Sequence, residues 1–184
     1  MTTAATVGGD GRLRLFLALR LLEPVLDALQ TWQRQEFEGF GRVLPRDHLH
    51  VTLAFLGSRP PGDLDAIVAA LRETAAAIRP FELEAFRYRE TRSVAMLVLA
   101  DPSGEAGLLA GLLQGRLEAL GVYERERRPW LPHVTALRFR SPPQLSPPLP
   151  PVGRFAPSEA AAFLSRLHPS GARYEVLDAV SLGG

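Results

Sequence analysis

His48-Leu49-His50-Val51-Thr52-Leu53-Ala54-Phe55-Leu56 decides how this chain is read. Leu49, Val51, Leu53 and Phe55 alternate with His48, His50, Thr52 and Ala54. A period of two is that of a strand with one apolar and one polar face. The tripeptide His50-Val51-Thr52 recurs as His133-Val134-Thr135, inside a second apparent strand over 132–139. With four histidines and eight threonines in the whole chain, two such matches are more than a common accident. Residues i and i+2 of a strand share a face, so each stretch presents an imidazole beside a hydroxyl.

Around these two strands the remaining pattern is mixed. Residues 14–19 form a short apolar run, and Val25, Leu26, Leu29 and Trp32 set a helix over 23–35. Pro60, Pro61 and Gly62 break the chain before a helix led by Asp63 and running to Arg79. Residues 81–89 and 94–99 read as a hairpin. Ser103 is expected to cap a leucine-rich helix that Gly121 stops. Residues 141–151, SPPQLSPPLPP, cannot supply ladder donors and read as an extended connector. Strands over 155–167 and 174–182 flank a turn at His168–Gly171. This order is α+β with two comparable halves, not a parallel βαβ series.

The 184 residues, 46% hydrophobic and 22% charged, are enough for one domain with a real core. We place it over 14–184, after a flexible tail at 1–13. The net charge of +1 gives no global field for a polyanion, so any contact with nucleic acid must be local. All 21 basic residues are arginine. A lysine nucleophile, a Walker A loop and a Schiff base are thereby excluded. Absence of cysteine removes thiol catalysis and disulfides, in keeping with the cytosol. No apolar stretch approaches the ~20 residues of a membrane span, and the first eleven residues resemble neither a signal nor a transit peptide. A cytoplasmic monomer with no membrane contact is expected.

Two facing imidazoles suit phosphoryl chemistry without a metal. One takes a proton from the nucleophile while the other gives one to the leaving oxygen, and a pKa near 6.5 lets the pair hold one charged and one neutral member. Thr52 and Thr135 can donate to nonbridging phosphate oxygens. His48 and His50 share a strand face and could edge a metal site, but no carboxylate pair accompanies them at a ligand spacing; no metal is expected.

LRLFLAL near the start, LHVTLAFLG at 49–57, PHVTALR at 132–138 and SRLHPSGARYEVL at 165–177 together resemble the two-histidine (2H) phosphoesterases. The nearest branch is the RNA 2′,3′-cyclic phosphodiesterases, also called 2′-5′ RNA ligases. The resemblance spans about Arg14 to Leu182. It implies a bilobal fold of two pseudo-symmetric antiparallel-sheet lobes, each packed by helices, around a central cleft with one His-x-Thr motif per lobe. It also implies hydrolysis of cyclic phosphate ends of RNA or nucleotides to 2′-phosphomonoesters, reversible 2′-5′ ligation, and no cofactor. The second motif reads HVTALR where the family more often has Leu straight after Thr.

His50 is assigned as general acid and His133 as general base, roles that two identical motifs allow to be exchanged. Thr52, Thr135 and Arg138 are expected at the phosphate, the last by the resemblance alone, since strand parity turns Arg138 away from His133 unless a bulge intervenes. His48 and Phe16 are further expected substrate contacts, and His168 is expected in solvent. Six arginines against three glutamates over 116–140 could guide an RNA end. The rival readings are an RNA-end binding module without turnover and a phosphodiesterase of small cyclic nucleotides.

Overall fold

Leu13, Leu15, Leu17 and Leu19 alternate with Arg14, Phe16, Ala18 and Arg20 along β1 (Leu13–Arg20). One face of the strand joins the main apolar core, while Phe16 and Ala18 join a smaller cluster on the other face. The computed structural model describes residues 11–182. β1 therefore begins one residue inside the expected tail, and residues 1–10 lie outside the described residues. After β1 come α1 (Glu23–Phe37), β2 (Arg42–Val43), β3 (Val51–Arg59), α2 (Leu64–Ala76), β4 (Leu83–Glu90) and β5 (Val94–Ala100). α3 (Glu105–Ala119), β6 (His133–Arg138), β7 (Arg154–Phe155), β8 (Glu159–His168) and β9 (Gly171–Val180) complete the fold.

The strands form one antiparallel sheet in the order β7-β4-β5-β6-β3-β1-β8-β9, with β2 added to β6. Each half repeats a strand-helix-strand unit, β1-α1-β3 and β5-α3-β6. The halves meet where β3 and β6 pair at Val51 and Val134, the middle residues of the two motifs. Helix α1 packs on β6 and α3 on β3, so each helix covers the motif strand of the other half.

Several boundaries differ from the sequence reading. His48 closes a single 3-10 turn at Arg46–His48, and β3 starts only at Val51. Pro45 precedes that turn in an extended conformation and ends the polar approach. Helix α2 stops at Ala76 rather than Arg79. Helix α3 starts after Gly104, at φ 77, and the Asp101 carboxylate accepts from the Gly104 and Gly107 amides. Asp101 thus takes the capping role given to Ser103, whose hydroxyl accepts only from the Glu105 amide. The stretch expected as one strand from residue 155 is two, β7 and β8, with Pro157 between them. In the proline segment Trp32 donates to the Pro148 carbonyl at 2.7 Å, and the Gln144 and Leu145 amides donate to Glu90. These bonds strap the connector over α1 and the β4–β5 hairpin.

Candidate active site

Each motif strand carries a bulge at the same place. Along β1, Leu17 pairs with Ala54 and Ala18 with Thr52, so Leu53 is passed over. Along β5, Ala95 pairs with Leu137 and Met96 with Thr135, so Ala136 is passed over. Both skipped residues lie three positions after the motif histidine. An extra residue reverses the alternation beyond it. Phe55 and Arg138, five positions after His50 and His133, are thereby turned onto the histidine face. Arg138 meets the condition set by parity and lines the cleft. Phe55, expected on the apolar face, instead lies 50% exposed in the cleft, with the Arg14 guanidinium 5.0 Å from its ring centre.

A buried glutamine holds each bulge. Gln114 of α3, 7% exposed, donates to the Leu53 carbonyl at 2.9 Å, and Gln33 of α1, 2% exposed, donates to the Ala136 and Leu44 carbonyls. A buried carbonyl left without a donor costs about 1–3 kcal/mol. Gln114→Ala is therefore expected to lower unfolding free energy by about that amount, read from urea titration; an unchanged midpoint would show that the bulge does not need this bond.

In an antiparallel pair centred on Val51 and Val134, the residue before one valine lies across from the residue after the other. His50 is thus set against Thr135, and His133 against Thr52. The His133 ring donates from Nδ1 to the Leu131 carbonyl at 2.8 Å, which fixes its orientation and leaves Nε2 for the cleft. Trp130 Nε1 donates to the Thr52 carbonyl at 2.9 Å and ties the approach to one motif onto the other.

His50 stands against an aromatic wall: its ring centre lies 5.0 Å from Phe16, 5.7 Å from Tyr174 and 6.0 Å from Phe163. Burial pushes its pKa down to about 4. The nearby His48 backbone offsets part of this by favouring the charged ring, while charge on His48 or His133 adds to it. Among the described residues, no group meets Nδ1 of His50 in hydrogen-bonding geometry. Phe16, expected to touch substrate, lines the cleft although only 3% exposed, and stacks on Phe163 behind His50. His48 stacks on Tyr174 at 4.2 Å, and burial lowers its pKa too, with Arg42 and Arg138 adding and Asp47 opposing.

Arg42 and Arg138 pair directly across β2 and β6, and both line a cleft of about 370 Å³ with the two motifs. Like charges placed opposite one another are destabilising, a cost that an anion between or beside them would offset. Arg14, Arg42, Phe163, Ser165 and Tyr174 escape the sequence reading because strands other than the two motif strands deliver them, and only the register of β1, β2, β8 and β9 shows it. Half of the six arginines over 116–140 are paired, Arg116, Arg125 and Arg128 with Glu73, Glu118 and Glu126. His168 sits exposed on the β8–β9 turn against Ser170. Among the described residues no group of three His, Asp or Glu could hold a metal ion.

The palindromic sheet and the cleft with one His-x-Thr motif from each half define a two-histidine phosphoesterase. The family model of the 2′-5′ RNA ligase superfamily matches residues 21–170, and the chain belongs to that superfamily. An RNA 2′,3′-cyclic phosphodiesterase of Thermus thermophilus is 35% identical over 186 residues, covering 94% of this chain and 91% of its own length. One of Escherichia coli is 28% identical over 171 residues, covering 89% and 93%. Among solved structures, a protein of T. thermophilus matches with TM-score 0.81 at 30% identity, and E. coli LigT complexed with 3′-AMP with TM-score 0.78 at 25%. Each of these covers 94% of this chain and 99% of its own.

Proposed function

We propose that the chain opens 2′,3′-cyclic phosphate ends of RNA or nucleotides to 2′-phosphomonoesters by acid-base catalysis from His50 and His133. The observation that carries this is the crossing of the two motifs at Val51 and Val134, which puts two imidazoles, two threonine hydroxyls and an opposed arginine pair around one cleft. His133 takes a proton from water as its oxygen bonds to phosphorus, and His50 gives one to O3′ as the P–O3′ bond breaks. Thr52, Thr135 and Arg138 hold the nonbridging oxygens where charge grows. Solvent then returns a proton to His50 and takes one from His133. A 5′-hydroxyl in place of water gives a 2′-5′ linkage by the same two transfers, with no nucleotide cofactor. Phe55, under Arg14, offers a stacking face for a base beside the phosphate.

The acid role of His50 has a condition. Burial keeps the ring neutral in the empty cleft at neutral pH, so its proton must arrive with the anionic phosphate, whose charge offsets the desolvation. Support for the reading comes from the relatives named RNA 2′,3′-cyclic phosphodiesterase. No helix among the described residues is long and apolar enough to cross a membrane, and a monomer acting in the cytoplasm is part of the proposal.

The test is incubation of the purified protein with a 2′,3′-cyclic-ended RNA in excess chelator. A 2′-phosphate product at the rate seen without chelator is expected. A rate that disappears and returns with a divalent ion would overturn the mechanism. Binding without multiple turnovers would favour the end-binding module instead.

A further inference from the structure

β4 and β5 continue the cleft's concave face away from the histidines. Val98 pairs with both Arg87 and His133, and Met96 with both Arg89 and Thr135. These two cross-strand rows share a face, because residues directly opposite in a sheet point the same way. Tyr88, between the two arginines, packs into the main core on the other side, which fixes Arg87 and Arg89 on the concave side. At two strand spacings, each arginine stands about 10 Å from the motif residue in its row.

A bulge in β4 adds an aromatic ring. Ala85 pairs with Leu99 and Arg87 with Val98, so Phe86 is passed over. Phe86 is 60% exposed, and the Arg87 guanidinium lies 5.9 Å from its ring centre. Among the described residues neither Arg87 nor Arg89 forms an ion pair, and both carboxylates of β4 are engaged elsewhere, Glu84 by Arg154 of β7 and Glu90 by Tyr88 and the Gln144 and Leu145 amides. β7 pairs only at Leu83 and Glu84, so among the described residues no strand pairs with the β4 edge beyond them, and the connector touches it only where Gln144 and Leu145 donate to Glu90. Duplication alone does not produce the strip: in the other half the row from Thr52 runs through Ala18 to Ala161, with no charge.

Unpaired cations spaced along an open sheet edge, with an exposed ring among them, have the chemistry that holds single-stranded nucleic acid: cations track the backbone and the ring stacks a base. We propose that Phe86, Arg87 and Arg89 form a track for the RNA strand leading to the cyclic end, which makes a polynucleotide end, rather than a free cyclic nucleotide, the favoured substrate. This rests on the phosphodiesterase reading for the position of the end. Val98 and Met96, 2% and 8% exposed, would lie beneath the strand's path between the two phosphate sites.

The experiment measures affinity for a single-stranded hexanucleotide with a 2′-phosphate end, and for a nucleoside 2′-monophosphate, as salt is varied. Wild type and the Arg87→Gln/Arg89→Gln double variant are compared, with thermal unfolding as a check on folding. Neutralising two phosphates of a single strand contributes a salt slope of about −1.4. The double variant is expected to lose about that much slope on the hexanucleotide, and the ratio of hexanucleotide to mononucleotide affinity is expected to fall about tenfold or more. Phe86→Ala should lower the same ratio about fivefold or more, as loss of a stacking face does, and Phe86→Trp should preserve it. An unchanged slope and ratio in the double variant would overturn the track. Turnover of the cyclic-ended hexanucleotide by wild type is scored separately: its absence would reject the phosphodiesterase reading, while the affinities still decide on the track.

Discussion

Alanine at His50 or His133 is expected to lower kcat by about 10² to 10⁴, the usual contribution of a positioned acid or base. The two losses should not multiply. Proton removal and proton donation belong to one displacement, so the double variant should be little worse than the poorer single one. Because His50 is enclosed by Phe16, Phe163 and Tyr174, its alanine variant opens a hole, and His50→Gln keeps the volume while removing the titrating group. His168→Ala, on the exposed turn, serves as the control and should keep wild-type turnover. The measurement is single-turnover and steady-state hydrolysis of a cyclic-ended substrate, with circular dichroism to confirm folding. Wild-type turnover by folded His133→Ala would remove the pairing from the mechanism.

How far the sequence reaches into the structure depends on the range of the interaction involved. The alternation around Val51 and Val134, and the repeat of His-x-Thr, are local, and they are enough to place two strands, one motif per half and an α+β class. The bulges at Leu53 and Ala136 are not local. Their displaced carbonyls accept from Gln114 and Gln33, on helices distant in sequence, and simple alternation therefore puts Phe55 on the wrong face. Arg138 illustrates the same gap from the other side, since parity argues against it and only the bulge brings it to the cleft. His48 fits the alternation of a strand, yet the geometry after Pro45 makes it the end of a turn. The aromatic wall behind His50 comes from β1, β8 and β9; the turn at His168–Gly171 makes β8 and β9 neighbours, but no local pattern pairs β8 with β1.

Acid is expected to destabilise this protein through His50 well before its carboxylates titrate. In the unfolded chain the ring takes a proton near pH 6.5, whereas in the fold burial holds its pKa at about 4. Between those values the unfolded state binds a proton that the folded state refuses. Stability from this group is therefore complete above pH 6.5, falls as pH drops toward 4, and changes no further below that. A difference of that size corresponds to about 3 kcal/mol. His48, whose pKa burial also lowers, adds to the same slope, so the comparison that isolates His50 is with His50→Gln. Urea unfolding from pH 4 to 7 should show wild type losing about 3 kcal/mol more than that variant; parallel curves would mean that the ring is solvated in the fold. The same condition links stability to chemistry. If an anion in the cleft brings His50 its proton, sulfate, which does not titrate in this range, should bind with uptake of up to about one proton near pH 6. Calorimetry in buffers of different ionisation enthalpy measures that uptake directly. Sulfate binding without proton uptake in wild type would leave His50 neutral in the loaded cleft, suited to accept a proton from water, and would hand the acid role to His133.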